Sequence, residues 1–295
     1  CIGVIEVVDK MKGEFDDNDL IFLRCASIII SLFLDNQKLQ FLANHGKVMM
    51  NLDRLISPSD RESNEIPKKM NLPIEIRASI DAIQFFSYDL SPDEGDIKFL
   101  FSIFNKLDFM NQYQINNEQL FVSLHAIRKT YKDTYFHNWM HAVDSIQFFV
   151  YELEKGNLMS VFHSKEIMSI ILALLFAYSE HDGTNNTFQY QTTTPLGSLF
   201  ERNSLTMARC FSAIHTMSFP KRNFLKNIDS YDSKMIWKSA LKLLNDCPED
   251  EEHDVIGNMK KTLKLNPFDY NVLKHREFFI LMLYRCALLS PFARP

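Results

Sequence analysis

The chain is poor in the residues that turn a backbone sharply. Eight glycines and ten prolines in 295 residues leave little material for tight turns and point to long helices. Cysteine is scarce and badly placed for cross-linking. Cys1, Cys25, Cys210, Cys247 and Cys286 are odd in number, far apart and without a C-x-x-C pair. That argues against a disulfide framework or a zinc knuckle, and it makes a reducing compartment, the cytoplasm, the expected location. There is no excess of positive charge. Lys and Arg number 32 against 37 Asp and Glu, the net charge is −5, and the cations are scattered, so neither nucleic acid nor an anionic membrane is an expected partner. Long apolar runs are missing too: the most apolar, Ala26 to Leu34, is far too short to span a bilayer. No signal-peptide pattern precedes the fold. The sequence opens at Cys1 inside a strand-like pattern, without a Met, which reads as a fragment at that end.

What is present suits a soluble globular protein. The chain is 46% apolar and 23% charged, and its length allows one large domain or two unequal ones. Ile2-Gly3-Val4-Ile5-Glu6-Val7-Val8 is a β-rich run, and Phe15-Asp16-Asp17-Asn18-Asp19 offers N-cap residues to a following helix. From about Leu20 to Leu52 apolar residues recur at helical spacing without a proline, in one long helix or two end to end. This seam could pair with a second copy or an active relative. Residues 57–73 are polar and carry prolines, a linker pattern. Beyond them helices are expected over roughly 97–107, 117–131, 137–154, 165–178, 196–217, 233–246, 251–264 and 272–290, so the large domain reads as all-α.

One stretch carries chemistry. In Phe136-His137-Asn138-Trp139-Met140-His141-Ala142, His137 and His141 stand four apart and share a helix face if the helix covers both. Two imidazoles on one face can bind a metal, or one can bind while the other moves a proton. A second polar cluster, His181-Asp182-Gly183-Thr184-Asn185-Asn186-Thr187-Phe188, follows an apolar run. Without that context an i, i+4 histidine pair is an ordinary surface or core feature, and asparagines in such a loop ordinarily cap helices and fix turns.

These two clusters resemble the signatures of the 3′,5′-cyclic nucleotide phosphodiesterases (class I). The first, Y-H-N-x-x-H-A-x-D, is matched by Phe136 to Asp144, with Phe for Tyr; the end of the second, H-D-x-D-H-x-G-x-N-N-x-F, by His181, Gly183, Asn185, Asn186 and Phe188. A late helix, Arg276 to Pro295, resembles the third. Residues 1–35 look like the closing strand and helix of a GAF domain, which precedes the catalytic domain in several of these enzymes. The resemblance thus implies a GAF remnant over 1–35, a helical linker over 36–72 and a phosphodiesterase-like domain over 73–295, truncated at its C-terminus.

The family's chemistry needs two metal ions, a bridging hydroxide and an acid for the departing 3′-oxygen. By resemblance His137 stands at the acid position, His141 at the first metal-ligand position, and His181 at the second histidine of the H-D-x-D-H motif, with Glu180 for its second Asp. The leading His and Asp of that motif then fall on Ala177 and Tyr178. In the late helix Ser290, Arg294 and Pro295 hold the frame, and the metal-binding Asp falls on Leu288. Alkyl and phenol side chains thus replace most of the ligands, and without a metal a water's pKa returns from about 7 towards 15.7. Met207, Arg209 and Cys210 stand where the family commonly has a Glu and two histidines. The helix with the purine-gripping Gln would lie beyond Pro295.

The resemblance therefore implies a domain of cyclic nucleotide signalling that lacks metal-dependent hydrolysis and serves as a regulatory or scaffolding partner. No cofactor is expected, cyclic AMP or cyclic GMP is the implied ligand, and a homo- or heterodimer forms through the helical linker. The alternative is an active phosphodiesterase holding two divalent ions, zinc or magnesium, through His137, His141, His181 and the carboxylate of Glu180 or Asp182. A three-residue deletion before Gly183 would likewise make His181-Asp182 the metal-binding pair. A third reading is a nucleotide sensor that binds without cleaving.

Overall fold

The computed structural model describes residues 15–17, 19, 20, 23, 24, 27, 80, 82–90, 95–192, 194–200, 203–245, 257, 260, 261 and 268–294. The chain divides into two compact units, Cys1–Lys68 and Lys69–Pro295. In the first, Asp16 and Asp19 start a helix by a reciprocal cap: Asp16 N–H donates to Asp19 Oδ2 at 3.0 Å and Asp19 N–H to Asp16 Oδ1 at 3.1 Å. Leu20, Leu23, Arg24 and Ser27 continue it. The expected strand over 2–8, the remainder of the 20–52 helix and the linker over 36–72 lie outside the described residues.

The described part of the second unit is all-helical. Its helices are α1 (Gly95–Lys106), α2 (Phe109–Gln112), α3 (Asn117–Arg128), α4 (Trp139–Lys155), α5 (Ser164–Phe176), α6 (Asn186–Gln191), α7 (Pro195–Phe200), α8 (Ser204–Ser218), α9 (Ser230–Asn245) and α10 (Leu273–Leu289). Short 3-10 turns cover Ser87–Asp89, Leu158–Ser160 and Ser290–Phe292. No β-strand occurs among the described residues.

Helix α5 is the centre. Every residue from Ile167 to Phe176 is buried, as a helix that is apolar all round must be. Helices α4, α8, α9 and α10 pack on it, and α10 also lies along α4. The N-termini of α5 and α10 are tied together by Arg276, which sends Nε and Nη2 to the two oxygens of Glu166, each at 2.5 Å, and Nη2 to the Val161 carbonyl at 2.8 Å. Glu166 also accepts the His163 N–H at 2.7 Å, closing the first turn of α5. Burial opposes the Glu166 charge, but Arg276 and the His163 N–H outweigh it and hold its pKa below the ordinary value.

Two expectations need correction. The helix expected over 196–217 is two helices, because Asn203 leaves helical dihedrals (φ −107°, ψ 27°) before α8 begins. The helix expected from 137 begins at Trp139: Asn138 takes extended dihedrals and its Oδ1 accepts the His141 N–H at 3.1 Å. An asparagine side chain competes with the helix it would otherwise join, and here it caps. The segment 251–264 is helical at its described residues 257, 260 and 261.

Candidate active site

The start of α4 is fixed by contacts outside the histidine cluster. Trp139 Nε1 donates to Asp96 Oδ2 at 2.5 Å, Asp96 pairs with Arg128 at 3.1 Å, and Asn138 Nδ2 reaches Tyr88 Oη at 2.8 Å. His137 therefore precedes the helix and His141 lies in its first turn. They are not helical i, i+4 neighbours, yet the cap brings their rings to 5.8 Å between centroids.

Around these two rings the structure assembles the positions that the sequence comparison singled out. Tyr178, just past α5, stacks against His141 at 4.5 Å and meets His137, tilted, at 4.5 Å. The His181 ring stands 4.3 Å from that of His137. Phe136 covers His141 at 4.4 Å and is itself met by Phe292 at 4.8 Å. Leu288, at the end of α10, presents its backbone carbonyl to His141 Nε2 at 3.0 Å, and the Phe136 carbonyl lies 3.2 Å from Nδ1. Ala177 is wholly buried beside Tyr178. His141 is 4% exposed; burial, with a smaller contribution from the Arg294 charge, holds its pKa below the ordinary histidine value although the two carbonyls work the other way.

The carboxylates near His181 are engaged elsewhere. Asp182 Oδ1 accepts the Thr184 N–H at 3.1 Å and the Thr184 hydroxyl at 2.6 Å, while Oδ2 accepts Gln189 Nε2 at 2.5 Å. Burial opposes the Asp182 charge, but these bonds and Lys132 hold its pKa below the usual carboxylate range. Glu180 has positive φ (61°), and its side chain lies 3.8 Å from Lys132 Nζ. Burial raises the Glu180 pKa and Lys132 opposes that. His181 Nδ1 accepts the Gly183 N–H at 3.0 Å, in a turn that needs glycine because φ is +87°. Among the described residues, no group of three or more His, Cys, Asp and Glu side chains is arranged to hold a metal ion.

The asparagine pair is structural in its contacts. Asn185 Oδ1 caps α6 by accepting the Phe188 N–H at 2.8 Å, and Asn186 Oδ1 accepts the Leu205 N–H at 2.8 Å at the start of α8. On α8, Arg209 and Cys210 are buried and Met207 is half-buried. Gly197 matters to the same corner, because a Cβ there would run into the Gln189 carbonyl. Gly197→Ala should cost about 1–3 kcal/mol by overpacking and loosen Gln189 from Asp182; urea unfolding checks the first, and an unchanged midpoint would contradict it.

Two contacts have no trace in residue types. Leu288 acts through its main chain, which any residue would supply. The pairing of Asp144 with Arg294 joins two residues 150 apart; the only hint is that both stand in signature positions.

The family profile described as 3′5′-cyclic nucleotide phosphodiesterase matches residues 136–295, more than half of the chain. Among curated proteins, dual 3′,5′-cyclic-AMP and -GMP phosphodiesterase 11A of Takifugu rubripes is 24% identical over 302 residues, covering 100% of this chain and 33% of its own length. Dual 3′,5′-cyclic-AMP and -GMP phosphodiesterase 11 of Drosophila melanogaster is 23% identical over 237 residues, covering 78% of this chain and 16% of its own length. This chain thus spans a third or less of those relatives. The solved structure of LmjPDEB1 in complex with IBMX superimposes with a TM-score of 0.71 at 17% identity, over 81% of this chain and 72% of that one, and so shares the fold. With that profile running from the first histidine cluster to the last residue, the chain belongs to the 3′5′-cyclic nucleotide phosphodiesterase family.

Proposed function

We propose that this is a phosphodiesterase-family domain without metal-dependent hydrolysis, acting in cyclic nucleotide signalling as a regulatory or scaffolding partner. One observation carries the reading: the oxygen that faces His141 Nε2 at 3.0 Å is the main-chain carbonyl of Leu288, where the family places a metal-binding carboxylate. The donor set does not fit a pair of divalent ions. Ala177 and Leu288 bring no donor side chain, Tyr178 lays a neutral ring against the imidazoles, and a catalytic zinc ordinarily keeps three protein ligands. His137 and His181 remain at the positions of the acid and of the second motif histidine, with no activated water for them to serve.

The competing reading, a working hydrolase with an atypical site, requires Asp182 or Glu180 as a ligand. Both oxygens of Asp182 are already bonded, one by Thr184 and the other by Gln189 of α6, and Glu180 lies beside Lys132. Cyclic AMP and cyclic GMP are the ligands to test, because the two relatives named above are described as acting on both. The GAF remnant, dimerisation through the 20–52 helix and a cytoplasmic location belong to the same proposal. The deciding experiment is metal analysis of the purified chain together with cyclic AMP and cyclic GMP turnover in added zinc and magnesium. The expected result is well under one equivalent of metal and no turnover above buffer. Two equivalents of metal with metal-dependent turnover would overturn the proposal.

A further inference from the structure

We propose that His141 serves as a proton-donating cap on the C-terminus of α10 and, with Tyr178, as a direct cross-link between the three helices that the family joins through metal. The inference rests on the reading above, but it assigns the imidazole a task of its own.

The last carbonyls of a helix have no partner within it. Leu288 is the penultimate residue of α10 and is buried, so water does not satisfy its carbonyl. The group that reaches it is His141 Nε2, at 3.0 Å from the first turn of α4. Carbonyl oxygens only accept. A ring nitrogen bonds this carbonyl only when it carries the proton. The other ring nitrogen, Nδ1, faces the Phe136 carbonyl at 3.2 Å, so a neutral ring donates to only one of the two carbonyls, and we place its proton on Nε2, at the shorter and more buried contact. A ring nitrogen that carries a proton has no lone pair for a metal. The face of the ring is closed as well: Tyr178, 6% exposed, stacks on it with planes 28° apart, and Phe136 packs against it at 4.4 Å.

Position for position, these are the residues that stand in the ligand places on α4, after α5 and on α10. The same three elements are still held together at the same point, by one hydrogen bond and one ring stack. Such a link makes the geometry of the pocket independent of metal.

The test uses the full chain. In histidine-labelled protein, NMR should show His141 with its proton on Nε2, protected from rapid solvent exchange. The melting temperature should be unchanged by EDTA or by zinc. His141→Phe keeps the stack but has no donor, and should lower the melting temperature by about 2–4 °C; His141→Gln, which retains an N–H donor, should lose less than half of that. An Nδ1-protonated ring in the wild type, or a His141→Phe melting temperature equal to wild type, would overturn the inference. If instead EDTA lowers the melting temperature and metal is found bound, it is the functional reading that fails. Metal-free protein with the proton on Nδ1 would sink the cap alone.

Discussion

Arg294→Met is expected to cost about 3–5 kcal/mol of stability, the penalty for leaving a buried charge without its partner. Asp144, 6% exposed on α4, forms an ion pair with Arg294 Nη2 and accepts the Ser87 N–H at 3.3 Å. The same guanidinium reaches Gln147 Oε1 at 2.9 Å, Ser290 Oγ at 3.1 Å and the Phe85 carbonyl at 3.2 Å, and lies over the Phe148 ring. Methionine replaces none of these donors. Burial raises the Asp144 pKa against the pull of Arg294, and burial lowers the Arg294 pKa against the pull of Asp144. Desolvation therefore outweighs attraction on both sides. It follows that removing both charges should hurt less than removing one. Asp144→Leu with Arg294→Met should recover at least half of the single-variant loss in urea titrations. A single variant within 1 kcal/mol of wild type, or a double variant showing the sum of both losses, would refute this account.

Glu152→Gln should flatten a loss of stability that wild type shows as pH rises. Glu152 sits on the same helix, one carboxylate oxygen is buried without a hydrogen-bond partner, and burial pushes its pKa from 4.5 to about 8. A carboxyl whose folded pKa lies above its unfolded value stabilises fully below the unfolded value and loses that contribution as pH climbs to the folded one. The window is therefore pH 4.5 to about 8, and the loss reaches an upper bound of about 4–5 kcal/mol at 1.36 kcal/mol per unit. Unfolding free energies at pH 4 and pH 8.5 check it: the two proteins should agree closely at the lower pH, and the Gln variant should exceed wild type by several kcal/mol at the higher. Parallel curves would mean that water already reaches the carboxylate. Cys286 provides a second readout, because burial and then the Glu152 charge raise its thiol pKa. Its alkylation above pH 8 should quicken in the Gln variant.

The helices were largely legible because apolar spacing survives in them. The run Ile167 to Phe176 could only be a buried element, and α4, α5 and α10 begin and end within about two residues of expectation. The misreading at His137 has a local cause: the spacing of two histidines carries helical periodicity whether or not Asn138 caps between them. The gathering of His137, His141, Tyr178, His181 and Leu288 followed from family motifs and not from composition, since a tyrosine and a leucine advertise no site. The Leu288 carbonyl could not be found in any sequence, because every residue has one. The Asp144 and Arg294 contact escaped for a related reason: charge alone does not say which of 37 acids meets which of 32 bases.

The clamp on α4 has a mechanical meaning. Gln147 Nε2 holds the carbonyls of Ile80 and Ala82 at 2.8 and 3.0 Å, while Gln147 Oε1 and Asp144 hold Arg294. Residues more than two hundred positions apart are thereby moored to a single turn of helix. Tension between residues 80 and 294 would fall first on these side chains and then, through the Leu288 carbonyl, on the imidazole at the head of α4.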